Sequence, residues 1–491
     1  MTNHFFLAIG LGSISLIIGC SSGSSGGSAS AKMDSAPIVA TADEVTVGWQ
    51  RSFEAGYTDS SGRYAGGSEV IHIVPHKQRL YAGISYWEDS RNIWYGGSSA
   101  ATGWAQVIRL DESDADWEVD LELGSQHLRT EVLKSVTFHH DGEGIELPMP
   151  VTLLIAAAAD RKAGGAISVF VRDDATGNWI DDTVFSAPSL PGSQTWSPRD
   201  IEIYRDRVTG IERIFLSTGR YGVISGVYDA AEPASIRWDE FPEGESLATR
   251  PLGLVAANDS LLLSSGASLY QRNDGPDPSW TPVFFLADNI NSDVGGIRGM
   301  TVIPNPNGEG ESILFMWAPN TASAGCIRRL DPNGAGDYLL HDETCMRGLM
   351  KAELGVGVGY TLGAYNDLFP VVDPATGKTL NLVGFEARTD GPPDTRWNDY
   401  YRGAMYAIRN EQQEYWINEI NDRFDSTKPT LVAPRTFALS PFECDGSNQE
   451  CNDVLYVGGF DPNFYPSTNT AWIFRTSLTH AIRNRGTAGS D

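Results

Sequence analysis

Three observations predict an all-β chain closed into a ring of seven blades, a β-propeller. Short alternating apolar runs separated by turn residues fill residues 45–478. Successive groups of four such runs form a unit that recurs along the chain. The last unit lacks its fourth run, and a run of the missing kind stands at the N-terminal end.

The unit is plainest at Arg250 to Leu286. Arg250-Pro-Leu-Gly-Leu254, Ser260-Leu-Leu-Leu-Ser264, Ala267-Ser-Leu-Tyr-Gln-Arg272 and Trp280-Thr-Pro-Val-Phe-Phe285 read as four strands, with a Gly/Pro-rich turn before the last. The third strand reappears as Val107-Ile-Arg-Leu-Asp111, Val169-Phe-Val-Arg-Asp173, Gly226-Val-Tyr-Asp229, Cys326-Ile-Arg-Arg-Leu-Asp331, Ala404-Met-Tyr-Ala-Ile-Arg409 and Ala471-Trp-Ile-Phe-Arg475. An aromatic residue opens the fourth strand at Trp117, Trp179, Trp238, Tyr338 and Trp416. First strands begin near Glu69, Lys134, Arg199, Arg250, Arg298, Asn366 and Arg435, spaced 65, 65, 51, 48, 68 and 69 residues apart, so the surplus falls in loops. Val45 to Phe53, with Trp49, has the fourth-strand look. It is expected to complete the last blade, closing the ring and removing the free edges of an open sheet. Asp174-Ala-Thr-Gly177, Arg207-Val-Thr-Gly210 and Pro374-Ala-Thr-Gly377 are hairpin turns with glycine where a positive φ is needed.

The chain has 491 residues, a length that alone suggests about three domains. The repeat overrides that prior and leaves one propeller over 45–478, followed by a flexible tail over 479–491. Thirty-six basic against 63 acidic residues give a formal charge of -27, which argues against nucleic-acid binding.

Phe5 to Ile18 is an apolar run of about 14 residues, short for a bilayer span and suited to a signal-peptide core. It leads into Ile17-Ile18-Gly19-Cys20, which resembles the lipobox of bacterial lipoproteins, although Met1 to His4 carries no Lys or Arg. The resemblance implies a signal peptide over 1–19 and lipidation of Cys20. A Ser/Gly-rich tether then runs over 20–44, in a protein exported to the outer membrane or cell surface that meets the membrane through its lipid alone. A plain secretory signal is the competing reading. Four further cysteines in an exported chain read as two disulfides, Cys326–Cys345 and Cys444–Cys451, each within one repeat. Zinc ligation competes, but no CxxC spacing or paired His supports it.

First strands line the central channel of a propeller, and the large concavity lies where they begin. Lys134, Arg199, Arg250, Arg298 and Arg435 stand there at one register, a candidate funnel for an anionic ligand. The alternative is that they pair with carboxylates and knit adjacent blades. Loops on the same face carry Trp87, Trp94 and Trp397, candidate platforms for sugar rings, or else packing for a satellite core. Arg220, Tyr221 and His127 are the catalytic candidates on that face, with His139 and Tyr204 as an alternative pair nearer the opposite face.

This arrangement resembles the seven-bladed polysaccharide lyases, of which ulvan lyases are examples. The resemblance implies β-elimination on a uronate-containing polysaccharide, with Arg220 neutralising the uronate carboxylate, and Tyr221 and His127 as base and acid. Blade two departs from that family in opening on Lys134 where a His is expected. No cofactor is required and no metal site is expected, a structural calcium ion staying open, and the chain is expected to be a monomer. The rival function is a non-catalytic surface propeller that binds a glycan or a protein partner.

Overall fold

The structure is a computed structural model that describes residues 48–86, 103–124, 127–159, 166–185, 197–232, 234–243, 251–286, 295–319, 323–334, 336–363, 367–390, 400–421, 429–442, 453–464 and 469–483. Cys20, Trp87, Trp94, Arg250, Trp397 and the pair Cys444–Cys451 lie outside these residues.

Seven four-stranded antiparallel sheets form the blades of a β-propeller. Their innermost strands are Glu69–His76, Val132–His140, Ile201–Arg205, Pro251–Ala257, Gly296–Pro304, Phe369–Val372 and Ala433–Leu439. The seventh sheet takes its outermost strand from the other end of the chain: Gln50–Glu54 pairs antiparallel with Ala471–Ser477, as expected. Phe53 from this strand is buried with Ile73, Trp117 and Ile473, so closure also joins the apolar layers of the last and first blades. The three expected hairpin glycines all adopt positive φ: 74° at Gly177, 70° at Gly210 and 68° at Gly377.

The starting register of the first strands differs in detail from the sequence expectation. Lys134, Arg298 and Arg435 are each the third residue of their strand, whereas Arg199 precedes Ile201–Arg205 by two. Four elements were not anticipated. They are the hairpin Tyr57–Thr58 with Tyr64–Ala65, the helix Met346–Leu354, the paired strands Val358–Leu362 and Glu386–Thr389 beside blade six, and a short helix Leu478–Ala481. The last opens the segment expected to be a flexible tail. It packs firmly, with Ala481 and Ile482 buried and the Ala481 carbonyl accepting hydrogen bonds from Tyr406 and Asn418. The Cys326–Cys345 disulfide forms as expected, linking directly opposed residues of the third and fourth strands of blade five.

Apolar layers between sheets are reinforced by two sets of polar contacts. Around the channel, each blade touches the next. Ile73 N–H donates to Thr436 Oγ1 (3.1 Å), and His72 Nε2 lies 2.9 Å from the Glu131 carbonyl. Lys134 donates to the Ile201 carbonyl (2.5 Å), Leu254 N–H to Asp200 (2.9 Å) and Ile297 N–H to the Gly266 carbonyl (3.0 Å). Leu368 N–H donates to Thr301 Oγ1 (2.9 Å), and Arg435 completes the circle with an ion pair to Glu386 at 3.0 Å.

Farther out, the arginine seen repeatedly in the third-strand motif is a buried inter-blade tie. Arg109 and Arg172, from consecutive blades, grip Asp120 between them, Arg172 Nε at 3.0 Å. Arg329 and Arg409 hold Glu343 in the same way, Arg409 Nε at 2.6 Å. Arg272 reaches back to Asp206 and Glu243, both at 2.7 Å. Burial alone would push the Glu343 carboxyl up, but hydrogen bonds from Arg409, Tyr415 and Arg329 hold it below the usual carboxylate range.

Removing one partner from such a buried cluster leaves charge uncompensated. Glu343→Gln is expected to destabilise the protein by about 3–5 kcal/mol in chemical denaturation, whereas an exposed pair such as Arg237–Glu143 contributes at most about 1 kcal/mol.

Candidate functional site

The channel entrance carries two layers of charge. The outer layer is a chain of ion pairs with buried members. Arg435 Nε meets Glu69 at 3.0 Å and its terminal nitrogen meets Glu386, also at 3.0 Å. Arg129 approaches the second oxygen of Glu69 at 3.1 Å and Glu131 at 3.9 Å, and Arg199 reaches the same Glu131 oxygen at 3.9 Å. Arg298 is buried within the electrostatic reach of Glu386, on which Tyr360 also donates at 3.2 Å. Three of the expected cations, Arg199, Arg298 and Arg435, thus stand here among carboxylates from neighbouring blades. Glu69, Glu131 and Glu386 were not singled out in the sequence, because nothing local marks them as partners.

The inner layer faces the lumen. Lys134, partly exposed on the third position of its strand, donates to Asp200 and Glu202, each at 3.2 Å. Asp200 is fixed from three blades. It accepts from Lys134 and its neighbour Ile201 N–H on one oxygen, and from Leu254 N–H on the other. Asp367, just before the first strand of blade six, is exposed to the lumen while the blades around it limit its solvation. Lys134 is held protonated: burial opposes its charge, but Asp200, Glu202 and Asp367 outweigh it. The Glu202 carboxyl is raised by burial and by Asp200, with Lys134 pulling the other way. The Asp367 carboxyl is pushed up to about 7 by its desolvation and by the neighbouring Asp200. His72 lines the same channel, its imidazole held toward the neutral form by burial.

The catalytic candidates are dispersed. His127 is buried on the blade-one side of blade two, with Nε2 3.1 Å from Ser168 Oγ and its ring edge-on to Phe170. Tyr221 packs on the blade-three side of blade two, against the core that contains Val169 and Val171. Arg220 shares the short 3-10 turn Gly219–Tyr221, and its side chain lies outside the described residues. Tyr204 is buried and donates to Asp274 at 2.7 Å and to the Asp259 carbonyl at 3.0 Å. Burial and Asp274 raise its phenol further from ionisation. His139 is exposed near the end of its strand.

The structure adds Asp200, Glu202, Asp367 and His72 to the candidate residues. One signal for Asp367 was legible: blade six departs from the basic register with Asn366-Asp367, an acid directly after the position at which five blades carry a cation. Among the described residues, no group of three or more His, Cys, Asp or Glu is arranged to hold a metal ion.

No family model matches the chain, and no curated protein matches it. Among solved structures, it is similar to the α-L-arabinofuranosidase Arb93A from Fusarium graminearum, at 11% identity and a TM-score of 0.39, over 88% of this chain and 100% of that one. It is also similar to Sqt1 from Saccharomyces cerevisiae, at 9% identity and a TM-score of 0.45, over 87% and 100% of the two chains. A putative 6-phosphogluconolactonase from Bacteroides uniformis matches at 12% identity and a TM-score of 0.38, over 71% and 85%. At such identities the likeness goes no further than the fold.

Proposed function

We propose that this protein is a carbohydrate-active enzyme that hydrolyses glycosidic bonds at the lumen layer, with Asp367 as general acid and Asp200 as the opposing carboxylate. The observation that carries the proposal is Asp367 itself. A carboxyl pushed up to about 7 keeps its proton near neutrality, beside a carboxylate fixed by an ammonium group and two backbone N–H groups. Two carboxyl groups whose surroundings separate their roles are what glycoside hydrolysis requires: one protonates the leaving oxygen, the other stabilises the cationic sugar or activates water. Lys134 and Glu202 then position Asp200.

The same charges bear on substrate class. Lys134 is already engaged by Asp200 and Glu202, and Arg435 by Glu69 and Glu386. With these cations already engaged by carboxylates, the proposal takes a neutral glycan over a polyanion and hydrolysis over β-elimination. Lyase action on a uronate-containing polysaccharide is the rival chemistry, and glycan capture without catalysis is the rival class. The reaction needs no cofactor, and the propeller works as a monomer.

Location is part of the proposal. A lipid on Cys20 and a Ser/Gly tether would hold the propeller at the outer membrane or cell surface, and the Cys326–Cys345 disulfide suits an oxidising compartment. In a bacterial host, palmitate labelling of the full chain is expected to be lost in Cys20→Ser. Equal labelling of both would remove the anchor from the account.

Two readouts on one set of glycans test the chemistry. With neutral polysaccharides, new reducing ends are expected without absorbance near 235 nm, and Asp367→Asn is expected to lower the rate at least about 100-fold. The acid must be protonated to work, so the rate is expected to fall as pH rises through about 7. Absorbance near 235 nm on uronans overturns the proposal in favour of the lyase. Binding with neither product overturns it in favour of the non-catalytic propeller.

A further inference from the structure

At the opposite end of blades one and two, three side chains meet in a different order. Ser135 lies on the first strand of blade two, His76 ends the first strand of blade one, and Asp174 sits in the blade-two hairpin Asp173–Gly177. His76 Nδ1 is 2.8 Å from Ser135 Oγ, and its Nε2 is 2.9 Å from Asp174 Oδ2. We propose that Ser135, His76 and Asp174 form a second active centre that hydrolyses short-chain acyl esters, such as O-acetyl groups, through an acyl-serine intermediate.

A serine nucleophile needs a base within hydrogen-bond reach, and that base needs a third group to fix its tautomer. Asp174 as a carboxylate only accepts, so the imidazole proton lies on Nε2 and the Nδ1 lone pair faces the Ser135 hydroxyl. The histidine is buried, with its ring edge-on to Tyr81 at 6.0 Å, which fixes its plane. Ser135 itself is only half-buried. The charged groups facing His76 are Asp174, Lys77 and Arg172. Burial holds the imidazole below its ordinary range, and Lys77 and Arg172 lower it further while Asp174 opposes them. Burial pushes the Asp174 carboxyl up, but hydrogen bonds from Lys77, His76 and Arg172 bring it down to about 2. The resting pair is therefore a neutral base beside a carboxylate.

In the reaction, Ser135 Oγ attacks the ester carbonyl carbon as its proton passes to His76 Nδ1. The C–O bond to the alcohol then breaks, and the alcohol leaves with that proton. Water repeats the sequence on the acyl-serine: it gives a proton to Nδ1, attacks the carbonyl and releases the acid, and Oγ recovers the proton. The strand Val132–His140 has a sheet partner on one side only, and the proposal assigns the oxyanion to N–H groups of its other edge that the ladder does not use. This centre shares no residue with the lumen carboxylates, so its failure leaves the glycosidase reading untouched.

The test uses the full chain with p-nitrophenyl acetate and a fluorophosphonate probe. One phosphonate per chain is expected on Ser135 by peptide mass spectrometry, together with ester hydrolysis at least about 100-fold faster than in Ser135→Ala. The wild-type rate is expected to rise with pH around a midpoint below the ordinary imidazole value of about 6.5. Labelling of the wild type needs no variant to fold. If the folded protein takes no phosphonate at Ser135, or if Ser135→Ala keeps the rate and only lowers Tm, the trio is a structural hydrogen-bond network and the proposal falls.

Discussion

Everything in this molecule depends on a ring closing on itself. Seven twisted sheets that each bury both faces against neighbours leave two raw faces unless the last blade meets the first. Strand Gln50–Glu54 makes that meeting covalently continuous with blade one while hydrogen-bonded into blade seven. Once closed, the ring fixes the distance between first strands across the channel. Side chains from the two ends of the repeat array can then be held together, Arg435 with Glu69 across 366 residues, as consecutive blades hold Lys134 with Asp200 and Glu202. Closure itself supplies the contacts between the last blade and the first, Arg435 with Glu69 and Ile73 N–H with Thr436, while the other members of the polar circle and the buried arginines join consecutive blades.

Closure also governs the chemistry proposed for the lumen. A carboxylate on an open surface would be solvated and would shed its proton in the ordinary acid range. Asp367 is kept from that by the surrounding blades and by a second carboxylate that the ring places near it. The ion pairs of the outer layer have the complementary effect. By pairing Arg435, Arg129 and Arg199 with carboxylates, they offset most of the positive charge that the residue types of the entrance suggested.

Much of the fold was legible because strand period, turn glycines and the recurring third-strand motif are local signals. The positive φ at Gly177, Gly210 and Gly377 and the Cys326–Cys345 bond follow from residues close in sequence or from pairing within one repeat, and the closing strand from the run missing at the end of the last unit. The helix Met346–Leu354 and the strand pair Val358–Leu362 with Glu386–Thr389 were missed because they are insertions outside the repeat. The site was legible in residue type and not in partnership. Lys134 and Arg435 could be placed at the channel, but their partners come from other blades, and no sequence spacing announces them. Apart from the Asn366-Asp367 break in the basic register, nothing set Asp367 apart among 63 acidic residues, because its raised carboxyl is the work of its surroundings. His127 and Tyr221 share an approach to one face in the sequence, yet a sheet separates them: they pack on opposite sides of blade two.

The central claim is that the closed ring holds a protonated carboxyl in the lumen near neutral pH. Carbon-13 NMR titration of the full chain labelled at aspartate, with Asp367→Asn to assign the signal, measures this directly. The expected result is a carboxyl whose titration is centred at about 7 and is absent from the variant. A signal for Asp367 that titrates near the ordinary aspartate value of about 3.9 would contradict it.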